Sequence, residues 1–315
     1  WNVVSTPHTV ELMPAEGSGC RNYQGPAWYR KHFVLPAETK GKRVVLHFEA
    51  AMGKQILYLN GKRIQEHLGG YLPFTLDLTA NGVQAGDSCL LAVFTDNSDD
   101  KSYPPGKRQY TLDFAYHGGI YRDVWMIAKS PVAITDAIDS QIVGGGGVFV
   151  HFDKISEKSA QVYVNTEVQN DDVRSESVTV ETTLTDADGK VIKRSSGKLS
   201  LKPGEKKSIR QQMEVKNPTL WSPDTPYLYR VQSRIKKGNK SIDGGITRVG
   251  IRLAEFRGKD GFWLNGKPFG QLVGANRHQD FAYVGNALPN SQQWRDAKRL
   301  RDVGCTIIRV AQNLR

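Results

Sequence analysis

The stretch Gln55-Ile56-Leu57-Tyr58-Leu59-Asn60-Gly61 decides the fold, because it joins a β-strand to a two-residue turn. Its apolar and aromatic residues are typical of a strand, and Asn-Gly tolerates positive φ angles at both corners of a tight hairpin. Comparable short strands lie before and after it at even spacing: residues 28–34, 43–49, 88–95 and 124–127. This series of strands and turns predicts a β-sandwich or jelly roll.

A second series of strands begins after Pro131, which we take as the seam between two domains. Turn signals at Asp188-Gly189 and at residues 202–205 separate strand-like runs at 132–143, 161–168, 178–184, 198–201 and 208–215. Roughly seven strands in a segment of this size predict an immunoglobulin-like β-sandwich, without the Cys–Trp–Cys arrangement of antibody domains.

The pattern changes after Val249. Asn265-Gly266 predicts a small hairpin, and residues 271–276 and 305–310 predict two buried strands. Between them we expect a helix with Asn290 as its N-cap, Gly304 as its stop, and an apolar stripe formed by Trp294, Ala297, Leu300 and Val303. These elements make one β-α-β unit.

The sequence therefore predicts a mainly β protein with three segments. Residues 1–130 form a jelly roll of the sugar-binding type, 131–249 an immunoglobulin-like sandwich, and 250–315 the first β-α-β unit of a truncated (β/α)₈ barrel. A complete barrel of that kind takes about 250 residues, far more than the last segment holds.

Charge and cysteine content exclude several classes of protein. The net charge is +11, yet the 43 Lys and Arg are dispersed, and the denser spots at 40–43 and 236–237 fall at strand ends and turns. We see no nucleic-acid-binding motif, and interpret the charge as solvated faces together with an acidic remainder outside this chain. The cysteines are far apart and odd in number, which indicates no disulfide framework: Cys20, Cys89 and Cys305.

No membrane span is expected either, since no run approaches the roughly 20 apolar residues that a membrane helix needs. The chain opens at Trp1 without a methionine. We therefore expect that a leader peptide, if there was one, has been removed, and we expect the protein to be periplasmic or secreted.

Several segments, in order and at characteristic spacing, resemble glycoside hydrolase family 2. They span nearly the whole chain: Trp28-Tyr29-Arg30, Leu59-Asn60-Gly61, Gly70–Phe74, Gly119–Val124, Leu220–Pro223, Val249–Arg252, Phe262–Pro268 and Gly274–Asp280. The family implies retaining hydrolysis of a β-glycosidic bond by two glutamates about 5 Å apart, one protonating the leaving oxygen and the other forming a covalent glycosyl-enzyme. No glutamate follows Glu255, so we expect no catalytic residue in this chain and no hydrolysis by it alone.

The resemblance also implies four substrate-binding residues. His278 matches a histidine that binds the sugar in subsite −1, and Asn276 belongs to the same motif. Asp113 matches an aspartate that reaches the active site from the jelly roll, in some relatives beside a sodium ion. Arg309 matches an arginine that braces the catalytic carboxylates. The plainer interpretations are a surface-loop histidine, a turn aspartate and a structural ion pair.

Two features depart from the family pattern or stay open. Gln312 stands where the family usually has a second substrate-binding histidine, so we assign it no role. Asn22 or Gln24 corresponds to a sugar-contacting asparagine, depending on where a gap is placed. The family's magnesium ligands fall beyond Arg315, so no cofactor or metal is expected in this chain, although a divalent cation fits a full-length enzyme.

The residues after Gly274 resemble β-galactosidases more than the β-glucuronidases or β-mannosidases of the family. The alternative class is a non-catalytic carbohydrate-binding module. A carbohydrate-binding module does not need a β-α-β unit, so the presence of one favours the interpretation as an enzyme. In either case a carbohydrate is the expected partner. We also expect the two barrel strands, which lack neighbours, to pack against a second copy of the chain.

Overall fold

The computed structural model describes residues 1–11, 22–112, 114–140 and 142–310. The described chain is mainly β and divides into two compact units. The first unit holds Trp1–Lys40, Val44–Ala128 and the chain from Val273, and the second is essentially Lys129–Leu272. Short 3₁₀ helices lie at Ala37–Thr39, Gln109–Thr111 and Gly258–Asp260.

The first unit contains a sandwich of two sheets. Its strands are β1 (Pro26–Val34), β2 (Arg43–Phe48), β3 (Lys54–Leu59), β4 (Lys62–Leu68), β5 (Phe74–Asp77), β6 (Ser88–Asp96) and β7 (Val124–Lys129). One sheet has the order β1-β6-β3-β4 and the other β5-β2-β7. Alternate residues of these strands point inward and form one apolar core, which includes Phe48, Leu57 and Leu76.

The hairpin predicted at Asn60-Gly61 is confirmed. Asn60 has φ 51° and Gly61 φ 81°, and the flanking strands β3 and β4 pair antiparallel. Positive φ at both corners matches the right-handed twist of the two strands, which is why this dipeptide fits the turn.

The second unit is also built on a two-sheet sandwich. Its strands are β8 (Val132–Ile134), β9 (Val148–Asp153), β10 (Ser159–Asn170), β11 (Glu176–Thr185), β12 (Val191–Leu201), β13 (Lys206–Lys216), β14 (Tyr229–Lys237), β15 (Lys240–Val249), β16 (Ala254–Phe256), β17 (Phe262–Leu264) and β18 (Lys267–Pro268). β10 pairs with β13, β8 and β9, and the facing sheet has the order β12-β11-β14-β15. Buried valines, leucines and isoleucines of both sheets fill the space between them.

The last described elements are β19 (Gly274–Arg277), α1 (Asn290–Asp302) and β20 (Ile307–Val310), with β19 and β20 paired parallel. Both strands are shorter than predicted. The prediction that Asn290 caps the helix is wrong. Pro289 occupies the cap position with φ −68° and ψ 152°, no side chain caps the helix there, and Asn290 is already helical. None of the helices in the described part of the chain is long and apolar enough to cross a membrane.

Candidate functional site

Three of the four predicted substrate-binding residues meet at one edge of the β19–β20 pair. Asn276 pairs in register with Arg309, and His278 follows β19 directly after Arg277. The carboxyl ends of parallel strands lie at the same edge of a sheet, so these side chains share that edge. Both Asn276 and Arg309 are exposed. Asp113, the fourth predicted residue, lies outside the described residues, and so does Gln312.

His278 is half-buried beside an aromatic residue of the first sandwich. Its ring centroid lies 6.2 Å from that of Phe114, with the planes tilted by 40°. Phe114 itself is buried. Among the described residues nothing hydrogen-bonds the imidazole, so its two nitrogens can donate to and accept from hydroxyl groups of a ligand.

The loop after His278 is held by Arg122, which precedes β7. Its Nη1 donates a 3.0 Å hydrogen bond to the carbonyl oxygen of Leu288, and its Nη2 a 3.1 Å bond to Oε1 of Gln279. Burial lowers the pKa of the guanidinium from its ordinary value. A charged donor bridging both ends of this segment restrains the loop that carries His278 at its start.

Two further residues of the first sandwich hold the middle of the same loop. Thr9 Oγ1 donates to the carbonyl oxygen of Val284 at 2.7 Å, and Nδ1 of the buried His117 lies 3.2 Å from Oδ1 of Asn286. Burial lowers the pKa of His117, which favours the neutral ring. Gly285 has φ 53°, and a Cβ there would lie 2.9 Å from the His117 ring, so only glycine fits.

Arg277 connects the end of β19 to the helix. Its Nη2 lies 2.7 Å from Oδ2 of Asp296 on α1, and the two side chains are only 14% and 21% exposed. A pair so little exposed is screened less by water than a surface ion pair. It therefore fixes the direction in which the strand leads into His278.

A second polar cluster lies around Asp99, just after β6. Its Oδ1 accepts hydrogen bonds from Gln24 Nε2 at 2.8 Å, from the backbone N–H of Gln109 at 3.0 Å, and from the hydroxyl of Tyr116. Burial raises the pKa of the Asp99 carboxyl, but these hydrogen bonds outweigh it, and the pKa is lowered overall. Tyr116 of this cluster also lines a shallow pocket together with Asn97, Asp100 and Tyr103.

Of the two candidates near the amino terminus, Gln24 donates to Asp99, while Asn22 accepts from the side chain of Gln109. Both therefore belong to this cluster.

Sequence reasoning did not select Asp99, although the acidic pair Asp99-Asp100 that follows a strand end was a visible signal. It also assigned no role to Arg122, although that residue lies in a quoted motif. Within the described residues, no group of three His, Cys, Asp or Glu side chains is placed to hold a metal ion.

Comparison with known protein families identifies the chain. Residues 5–131 match the sugar binding domain of glycosyl hydrolases family 2, and residues 146–252 match a further model of glycosyl hydrolases family 2. The chain belongs to glycosyl hydrolase family 2. The resemblance seen in the sequence is thereby confirmed.

Relatives and solved structures agree with the family. The chain is 33% identical to a β-galactosidase of Thermoanaerobacter pseudethanolicus, over 99% of this chain and 39% of the relative. It is 32% identical to a β-glucuronidase of Formosa agariphila, over 98% of this chain and 32% of the relative.

Among solved structures, the β-glucuronidase of Bacteroides uniformis superposes with a TM-score of 0.87 at 31% identity, covering 99% of this chain and 36% of that one. A family 2 member from Bacteroides cellulosilyticus gives a TM-score of 0.85 at 28% identity, covering 99% and 41%. The chain spans less than half the length of each of these four proteins.

Proposed function

We propose that this chain is the N-terminal part of a retaining exo-β-glycosidase that removes terminal β-linked sugars from oligo- or polysaccharides. In this proposal the two sandwiches are the jelly-roll and immunoglobulin-like domains, and β19, α1 and β20 open a (β/α)₈ barrel. The observation that carries the proposal is that Asn276, His278 and Arg309 lie at the carboxyl ends of parallel strands. Barrel enzymes place their active sites at that end.

Each residue has a role in the proposed site. His278 binds hydroxyl groups of the sugar through an imidazole that its neighbours leave available, and Asn276 adds an amide at the same edge. Arg309 braces the catalytic carboxylates, and Asp113 contacts the sugar from the jelly roll. Reading the coding sequence downstream of Arg315 tests this assignment. We expect further barrel strands that end in two glutamates, whereas a stop codon directly after Arg315 favours a carbohydrate-binding module.

We predict that the 315-residue chain alone does not hydrolyse an aryl β-galactoside. Retaining hydrolysis needs two carboxylates about 5 Å apart, and no glutamate follows Glu255. Release of the chromophore is measured with purified protein, and a mock purification from the same host without the gene serves as the control. Turnover that exceeds the mock sample and follows the protein peak in chromatography contradicts the prediction.

We assign the parent enzyme to β-galactosides. The order of residues Asn276–Asp280 supports this choice, while a β-glucuronidase stands almost equally close in identity. Assaying the full-length enzyme on matched aryl β-galactoside and β-glucuronide substrates separates the two. A higher kcat/KM on the glucuronide overturns the assignment.

We further propose that two copies of the chain associate through the β19-α1-β20 unit. Parallel strands are normally covered on both faces, yet Trp294 is 65% and Val303 78% exposed. In sedimentation velocity we expect a dimer at high concentration that Trp294→Ser weakens. Trp125→Ser removes an equally large exposed side chain from β7 and serves as the matched control. A strictly monomeric chain at high concentration contradicts the proposal.

A further inference from the structure

The outer surface of the sheet β12-β11-β14-β15 carries a cluster of cations, which we call the basic face. In β11 and β14 alternate residues such as Val180, Leu184, Val231 and Ile235 are buried in the core. The residues between them, and their cross-strand partners, therefore point outward. Six of these outward residues are basic: Arg194, Lys198, Arg230, Arg234, Lys236 and Arg248.

Most of this positive charge has no partner among the residues that the structure describes. Lys236 lies 3.5 Å from Glu181, which is the acidic residue of the face. In the described part of the chain the other five cations form no ion pair and no side-chain hydrogen bond. Arg230 stands directly opposite Arg248 in register. Like charges directly opposite each other destabilise a sheet, so the arrangement costs stability unless an external anion neutralises it.

The six cations share one face of the sheet at the spacings that strand geometry sets. Neighbouring strands are about 4.8 Å apart, and outward residues along one strand follow at about 6.7 Å. Arg194 and Lys198, four residues apart on β12, are therefore separated by roughly 13 Å. On β15 the residue paired with Arg234 is Gly244, which leaves one flank of that guanidinium without a covering side chain. An extended polyanion lying across the strands can reach several of these cations at once.

We infer that the basic face binds a polyuronate, that is, a polysaccharide with a carboxylate on its sugar rings. Guanidinium groups match carboxylates in a bidentate geometry, and the half-buried Thr179 and Gln232 lie between the cations as hydrogen-bonding partners for hydroxyls. None of the outward residues on these four described strands is aromatic. The face thus lacks the rings on which nucleobases stack, and it offers no helix to enter a DNA groove.

This binding surface is separate from the proposed sugar-cleaving site. It belongs to the second unit, Lys129–Leu272, whereas Asn276, His278 and Arg309 belong to the first. Membership in a carbohydrate-cleaving family makes a polysaccharide a fitting partner, and the inference does not require the chain to be catalytically active. Binding and turnover are therefore measured independently.

The test is the affinity of the full 315-residue chain for immobilised alginate at low ionic strength, with dextran as the neutral comparison. We expect binding to alginate alone, weakening as salt screens the charges. The double variant Arg230→Gln/Arg234→Gln should bind roughly thirtyfold more weakly, because the two lost cations near a polyanion contribute about 1 kcal/mol each and about 1.4 kcal/mol is a factor of ten. Lys62→Gln/Lys216→Gln removes the same charge from exposed positions on β4 and β13, and should retain affinity close to that of the parent.

Two further arms complete the design. Arg230→Lys/Arg234→Lys keeps the charge but not the bidentate guanidinium geometry, so we expect an intermediate loss of affinity. Arg194→Gln/Arg248→Gln replaces the first variant if circular dichroism shows that it is misfolded. Equal weakening in the Lys62/Lys216 control, no alginate binding at low salt, or tighter binding of single-stranded DNA of the same length and charge overturns the inference.

Discussion

Replacing Gly274 with alanine will separate strand β20 from β19. A Cβ at Gly274 would lie 1.9 Å from the carbonyl oxygen of Ile307, which belongs to the backbone of the paired strand and cannot rotate away. The strand must shift, and the in-register pair of Asn276 and Arg309 is lost with it. We expect the local stability of this strand pair to fall by about 3 kcal/mol, at the upper end of the usual range for single substitutions.

Hydrogen exchange measures this effect where it occurs. The backbone amides of residues 307–310 should lose protection in the Gly274→Ala variant, while those of the two sandwiches keep theirs. Gly245→Ala is the matched control, because Gly245 also lies in a strand and an added Cβ meets nothing within 4 Å. That variant should change stability by less than about 0.5 kcal/mol. If the amides of residues 307–310 exchange at the same rate in both variants, the close approach of Gly274 and Ile307 is refuted.

Replacing Arg122 with methionine will release the loop between His278 and Leu288. Methionine keeps an unbranched apolar stem but leaves the carbonyl of Leu288 and the amide oxygen of Gln279 without their charged donor. Losing hydrogen bonds to a charged group costs about 2–3 kcal/mol, more than an exposed substitution does. We expect the urea midpoint to fall and the amides of residues 279–288 to exchange faster.

The comparison variant is Arg30→Met. Arg30 is an exposed arginine whose guanidinium carbon lies 4.2 Å from the centre of the Trp1 ring. Losing that contact at an exposed site costs about 0.5–1 kcal/mol and should leave the loop unchanged. Arg122→Lys should recover only part of the loss, because an ammonium group cannot donate in two fixed directions as the guanidinium fork does. An Arg122→Met protein as stable as Arg30→Met shows that the loop is held by other contacts.

Local chemistry explains which elements could be predicted from the sequence. The hairpins at Asn60-Gly61 and Asn265-Gly266 were both predicted, and all four residues have positive φ. Such turns depend on the two residues themselves. The helix start was misplaced because Pro289 takes the extended cap conformation, so a residue we took as the cap became the first residue of the helix.

The loop contacts could not be predicted, because their partners are far apart in the chain. Thr9 binds Val284, 275 positions away, and Arg122 binds Leu288, 166 positions away. Even the motif that contains Arg122 does not show which distant residue its side chain contacts. His278, Asn276 and Arg309 were selected from their motifs, and their roles stay predictions.

The sequence by itself determined the strand-rich class, the turns and the family, because these depend on residues close together or on motifs in a characteristic order. Only the tertiary structure showed that arginines and lysines dispersed between residues 194 and 248 form one basic face. Antiparallel pairing brings distant segments into register, and alternation along each strand then turns their charged side chains to the same side. The net charge alone shows neither which segments pair nor on which side of the sheet their charges lie.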